Sequence, residues 1–491
     1  MAIGFAQVSV GVVEHAVAQT GFMRTVSTED ELVAAVAEAE RIVVQGAIAM
    51  GQSVQLVPGQ RLAGSGDDAA LVFAAEMDGV RVGRDNEVVG LRIQVDPDRR
   101  AVFNDTTVDD LGTIQLAAIT GIGQVQILAR DRVRGGHVVV DGLDIVAADV
   151  RDRVERPALL GVGALQGAFT LWNQQPDSEV VVTAELRGLA AGRAGAPVRG
   201  SGVFVAGAVP DGSGGRLDVS MLQTGPVFTD GGIAEGSHEL ISGGVFVIYG
   251  AHVREVINNG PVTTFGVNDM VLDNWGVVDD WTARAPLTSY GPSGVGFVNF
   301  GTVTTLRIQA PVETHGIGAR GFNVYRLDGF VGPTADTVEF DQITTHADAA
   351  IGIQIGQPIG QLIVHNGIHT EGGAGDSLVR GVITRLSAHA LSIQPGGRVE
   401  TVQVGGSMDS TGTGVAAVDV RGEIGTMQVA GGIHAAGADA DALRLEGGTL
   451  RLRDTEVTSS KGAAIRLTAN AGIQLSGVHA NGANADVVVE R

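Results

Sequence analysis

A short phrase returns along this chain at a fixed interval. Gly260-Pro-Val-Thr-Thr-Phe-Gly266 is followed by Ala285-Pro-Leu-Thr-Ser-Tyr-Gly291 and Ala310-Pro-Val-Glu-Thr-His-Gly316, so the starts lie 25 residues apart. Weaker copies continue at Asp341–Ala347, Asn366–Gly372, Gly431–Gly437 and Ser476–Gly482. A fixed period of this size means one supersecondary unit stacked on copies of itself. Within the phrase, alternation sends Val262 and Thr264 one way and Thr263 and Phe265 the other. A second strand type ends at an aromatic before glycine, at Tyr249-Gly250, Trp275-Gly276 and Phe300-Gly301. A third lies between them, as in Val253-Arg-Glu-Val-Ile257 and Thr304-Thr-Leu-Arg-Ile308. Three short strands per repeat predict a three-sided coil. Parallel stacking at about 4.8 Å then places equivalent positions directly above one another.

Composition agrees with that reading and removes several functions. Of 491 residues, 73 are glycine and only 4% are aromatic, which suits thin layers of short strands. Cysteine is absent, so neither disulfides nor thiol chemistry are available. A formal charge of −22 argues against nucleic acid and anionic membranes as partners. The single lysine, Lys461, argues against Schiff-base catalysis. No apolar run is long enough to span a membrane. The first 20 residues lack a basic start and are interrupted by Glu14, His15 and Gln19, unlike a secretory leader. The expectation is a cytoplasmic chain, or a secreted one whose leader has been removed.

Residues 27–40 read as an amphipathic helix, with Thr28 and Glu31 as a capping box and Leu32, Val33 and Val36 on one face. Buried strands follow at Arg41–Ile48 and Ser53–Pro58. This layout, a short helix and then coils, resembles the opening of the pectate-lyase-like right-handed parallel β-helix proteins. The resemblance covers roughly residues 27–491 and implies an all-β, single-stranded right-handed parallel β-helix with an N-terminal capping helix. The expected organisation is an N-terminal segment and helix at 1–40, then a solenoid over 41–491. Residues 149–199 break the rhythm and read as an excursion. The closing strand Val487–Val489 has no visible cap, so a loop or another subunit is expected to cover it.

Gly316-Ile-Gly-Ala-Arg-Gly321 matches a dinucleotide fingerprint, but Phe322–Leu327 alternates like a strand where that motif needs a helix. It reads as a turn between coils. Unusual side chains gather instead at residues 226–372. One outward column runs Asp230, Phe265, Tyr290, His315, His346, Glu371, and another runs Phe228, Thr263, Thr288, Glu313, Thr344, His369. Such a strip offers aromatic faces and hydrogen-bonding groups to a sugar; a solvated wall of polar ladders accounts for the same residues. The histidines with Glu313 or Glu371 offer possible metal ligands, but no fixed spacing marks a centre and no metal is assigned.

Glu255 and Asp280 share a column on adjacent coils, at a spacing that paired glycosidase carboxylates use. Arg284 and Asn259 occupy the next column. Asp269 and Asp273 lie in the polar strand leading to Trp275. The polar loop at 229–239 is a candidate lid. The pectate-lyase-like superfamily includes lyases, hydrolases, epimerases, fructotransferases and tailspikes, and no motif of any one of them occurs here. With one lysine, a polyanionic uronan is a poor substrate unless calcium is bound, so a neutral sugar is favoured. The expectation is a carbohydrate-active enzyme of glycoside hydrolase or transglycosylase type. Its acid–base groups would come from Asp230, Glu255, Asp269, Asp273, Asp280, Glu313 or Glu371. Trp275, Arg284, Tyr290, His315, Tyr325, Arg326, His346 and His369 would position the sugar. No cofactor is assigned, calcium remaining conceivable, and a homo-oligomer, best a trimer, is expected. The alternatives are a non-catalytic glycan-binding or structural β-helix of spike or adhesin type, and a polysaccharide lyase or epimerase.

Overall fold

The computed structural model describes residues 22–325, 334–379 and 382–490. The chain is a parallel β-helix with three faces. On the first, Ala251–Asn258 pairs in parallel with Val277–Ala283, which pairs with Thr302–Ile308 and so on along the axis. The second stacks Val262–Thr264, Leu287–Ser289, Val312–Thr314, Ile343–Thr345 and Gly367–Thr370. Asp269–Asn274, Val295–Asn299, Arg320–Val324 and Ile351–Ile355 belong to the third. The 25-residue phrase therefore becomes the second face, and its columns stand in register as the spacing requires.

Alternation fills the interior. Val256, Trp281, Leu306, Val338 and Leu362 form one fully buried column, and Leu272, Phe297, Phe322 and Ile353 form another. Each second-face strand ends in a buried hydroxyl, at Thr264, Ser289, Thr314, Thr345 and Thr370. Thr264 Oγ1 reaches Ser289 Oγ at 3.1 Å, so these polar groups are satisfied partly by their own column. The phrase ends in glycine because the corner is tight: a Cβ on Gly291 or Gly316 would overlap the carbonyl oxygen of Gly266 or Gly291 in the coil beneath.

The N-terminal helix spans Glu29–Glu38 and carries the expected capping box. The Glu31 amide donates to Thr28 Oγ1 at 3.3 Å, and the Ser27 amide donates to Glu31 Oε2 at 2.7 Å. Leu32 and Ala35 face the first coils, whereas Val33, expected on the buried face, is exposed. The excursion is narrower than the sequence suggested. Gly167–Asn173 and Val181–Ala191 are regular coil strands, paired in parallel on both sides. The stretch before Gly167 departs, folding as a small antiparallel pair, Ala158–Leu159 with Val162–Ala164, and a tight antiparallel turn joins Arg193 to Ala196. A second antiparallel hairpin, Ala374–Val379 with Val382–Ser387, turns back so that Ser377 Oγ donates to the Gly318 carbonyl at 2.7 Å. The glycine-rich 316–321 segment leads into the strand Arg320–Val324, as a turn should. No helix among the described residues is long and apolar enough to cross a membrane.

Candidate functional site

The second-face strip forms as one continuous ladder. Phe265, Tyr290, His315 and His346 stack ring on ring, with centroids 5.4, 4.8 and 4.6 Å apart and planes within 10°. Glu371 ends it, with Oε2 2.9 Å from His346 Nδ1. Stacking of this kind closes the ring faces against each other and presents only edges outward. The parallel column places Glu313 beside Thr344 and then His369, whose Nδ1 lies 2.7 Å from Asp409. Asp230 sits at the ladder's other end, in an ion pair with Arg199.

On the first face, Glu255 and Asp280 are direct register partners and both are exposed. Arg307 Nη1 approaches Asp280 at 3.3 Å, and Arg284 Nη1 donates to Asn259 Oδ1 at 3.0 Å. Arg326 lies outside the described residues.

The third face is different, because its outer side is covered. Met270, Val295, Val298 and Trp275 point outward yet are buried in an apolar cluster separate from the main core. Leu159, Leu160 and Val162 of the excursion line a narrow cavity over these side chains, together with Asp273, Arg320 and Tyr325. Asp273 is 1% exposed and neither of its oxygens has a hydrogen-bond partner among the described residues. The Trp275 indole N–H stands beside it, outside hydrogen-bonding geometry and likewise without an acceptor. Burial pushes the Asp273 carboxyl well above the usual carboxylate range, which favours its protonated form. Arg320 is fully buried; Nε donates to Gln354 Oε1 at 3.0 Å and Nη1 to the Gly318 carbonyl at 3.2 Å, while Nη2 has no partner among the described residues. Buried polar groups left this way are uncommon and mark a place where something else supplies the partner.

Leu159, Trp275 and Phe300 also line a larger open groove along the adjoining corner. Its floor is the aromatic-glycine column: Tyr249 stacks on Trp275 at 6.1 Å, Trp275 meets Phe300 edge-on at 6.1 Å, and Phe300 stacks on Tyr325 at 4.6 Å. Arg216, Asp218, Asp211 and His252 form polar walls. The Tyr249 hydroxyl accepts from the Ala158 amide at 3.2 Å, tying the excursion to the groove.

Asp269 is buried with a different role. Its carboxyl accepts from the Gly266 amide at 3.2 Å, the Gly231 amide at 3.4 Å and Thr229 Oγ1 at 3.3 Å. Burial outweighs these donors and pushes its pKa up to about 7. It locks the corner where coils 229–231 and 264–269 meet.

Of the predicted site residues, the structure gathers Asp273, Trp275 and Tyr325 at the third-face cavity. Tyr290, His315, His346, Glu313, Glu371 and His369 lie together on the second face. Tyr249, Phe300 and Arg320 were not singled out as site residues from the sequence. The repeated aromatic before glycine carried the signal for the first two; nothing local marks Arg320, whose burial depends on distant segments. No family model, curated protein or solved structure matches the chain.

Proposed function

We propose that the protein binds a neutral oligo- or polysaccharide at the third-face corner, with sugar rings in the groove over Tyr249, Trp275 and Phe300 and a hydroxyl-bearing arm reaching the cavity. One observation carries this reading: Asp273, the Trp275 indole and Arg320 Nη2 are buried around one cavity with unused hydrogen-bonding capacity. A neutral carboxyl both donates and accepts, and the other two groups donate. Sugar hydroxyls, which also do both, match that set, and a neutral ligand avoids opposing the charge of −22. The layout shared with pectate-lyase-like proteins, many of which handle polysaccharides, supports the same assignment. Side-by-side association into a trimer belongs to this proposal and is read by sedimentation.

A second reading, glycoside hydrolysis or transglycosylation, is favoured by one feature. A carboxyl whose pKa is raised by burial beside a ligand groove is suited to the role of a general acid. Asp273 would then donate the proton to the leaving oxygen.

The test is a panel of neutral glycans and uronans scored both for binding and for products by mass spectrometry. Trp275→Phe, chosen to keep the apolar packing, is expected to weaken binding of a neutral glycan by about 2 kcal/mol, some 30-fold. Asp273→Asn is expected to abolish turnover while leaving binding measurable if the enzymatic reading holds. Binding without products from any glycan selects the non-catalytic form. No binding to any of them rejects both.

A further inference from the structure

We infer that Glu313, His315 and His346 form a binding site for a late first-row divalent cation such as Zn²⁺, on the second face and independent of the proposed glycan groove. One donor atom from each of the three lies within 4.8 Å of the other two. The two imidazoles come from consecutive coils and stack nearly parallel, 4.6 Å apart at 6°. They therefore approach the site from one wall and must tilt toward each other for their in-plane lone pairs to converge on one ion. His315 Nε2 stands 3.7 Å from Glu313 Oε2, too far for a hydrogen bond and with space between for an ion.

Glu371 supplies the independent support. Its carboxylate takes His346 Nδ1 at 2.9 Å, which leaves Nε2 of that ring as the electron-pair donor. A carboxylate on the far nitrogen is the usual way a metal-ligating histidine is oriented and made more basic. The ligand columns contain no arginine or lysine to oppose a cation.

Ligand type selects the ion. Two imidazoles and one carboxylate favour zinc, cobalt, nickel or copper over calcium or magnesium, which prefer all-oxygen sites. In a tetrahedral centre with bonds of about 2.0–2.2 Å, ligand atoms stand roughly 3.4 Å apart. The donor atoms, now within 4.8 Å of one another, must therefore close by up to about 1.4 Å. All three are partly exposed and can turn to do so. Water fills the remaining position, which leaves the site open on the solvent side.

The experiment uses the full chain, stripped with chelator, titrated with Zn²⁺ by calorimetry and with Co²⁺ by visible absorption. The expected result is one ion per chain, a cobalt band of ligand-field origin, and a melting temperature raised by zinc. His315→Ala and His346→Ala should each lose the band, and Glu371→Gln should weaken zinc binding about 10- to 100-fold. His434→Ala, on a distant coil, should change nothing. Circular dichroism in chelator establishes that each variant is folded, and the conservative Glu371→Gln keeps the test alive if a histidine variant is not. Absence of both heat and band overturns the inference. So does zinc binding that persists undiminished in the His315→Ala/His346→Ala double variant.

Discussion

Asp273 and Asp419 occupy the same column of the same face, linked through Val298, Asn323, Gln354 and Ser392, and each is 1% exposed. Their surroundings are opposite. Asp419 accepts from Arg444 Nε at 2.9 Å, lies 3.1 Å from Arg421 Nε and faces the buried His389. Among the described residues Asp273 has no basic partner, and Leu159, Met270, Val295 and Val298 line the cavity beside it. The regular stem after residue 398 pairs its outward acids across coils, as Arg466 does with Asp441 at 2.5 Å. In the middle coils Asp273 is buried with neither oxygen hydrogen-bonded among the described residues. A buried acid with arginines on it is held as an ion pair, whereas burial without a basic partner favours the protonated acid.

The interiors of the two regions also differ, and that is where the comparison can be broken most forcibly. Trp281 and Leu452 lie in one inward column, both fully buried, and the Trp281 indole donates to Asn258 Oδ1 at 2.9 Å. Trp281→Ala is expected to cost about 3–5 kcal/mol and Leu452→Ala about 2–4 kcal/mol. Denaturant melts of both variants measure this; equal losses would mean that the aromatic middle is no more tightly built than the stem.

Next in size is the acid pair itself. Asp419→Ala removes one carboxylate from Arg421 and Arg444, which keep Glu446, and should destabilise by about 2 kcal/mol. Asp273→Asn replaces the carboxyl, whose protonated form burial favours, by its near-isostere and should stay within about 1 kcal/mol. A large loss for Asp273→Asn at pH 7 would show that the carboxyl is ionised and paired, and would remove the contrast.

Asp269 sharpens the comparison through pH. Its folded pKa, about 7, stands above the ordinary 3.8, so the folded state holds the proton more tightly than the unfolded chain. Its contribution leaves stability untouched below about pH 4. Stability then falls by up to about 1.4 kcal/mol per pH unit until the folded group ionises near 7. Melts between pH 4 and 8 should show this downward slope in the wild type. Asp273, raised in the same direction, adds to it, so Asp269→Asn should make it shallower and the Asp269→Asn/Asp273→Asn double variant should remove both contributions.

The smallest effect belongs to the exposed ladder. Tyr290→Ala removes two stacking contacts, with Phe265 and His315, and should cost about 1 kcal/mol. A thermal shift within error would mark the ladder as ornament on a wall stabilised from inside.

The repeat itself was enough to determine the solenoid, its three strands per coil and the partners in each column. Parallel pairing adds one coil at a fixed spacing, so a 25-residue interval in sequence becomes vertical neighbourhood in space, as Thr263, Thr288 and Glu313 show. The capping box at Thr28 and Glu31 was legible for the same reason: it is a contact between residues three apart. Two things were decided only by tertiary structure. Which outward residues are buried depends on what lies over them, and Leu159, Leu160 and Val162, more than a hundred residues before Asp273, do the covering. Which part of a ring is offered to a ligand depends on its stacking partners, and the ladder from Phe265 to His346 spends its faces on itself. Periodicity fixes the neighbours along a column, whereas burial and ring orientation follow from contacts that carry no period.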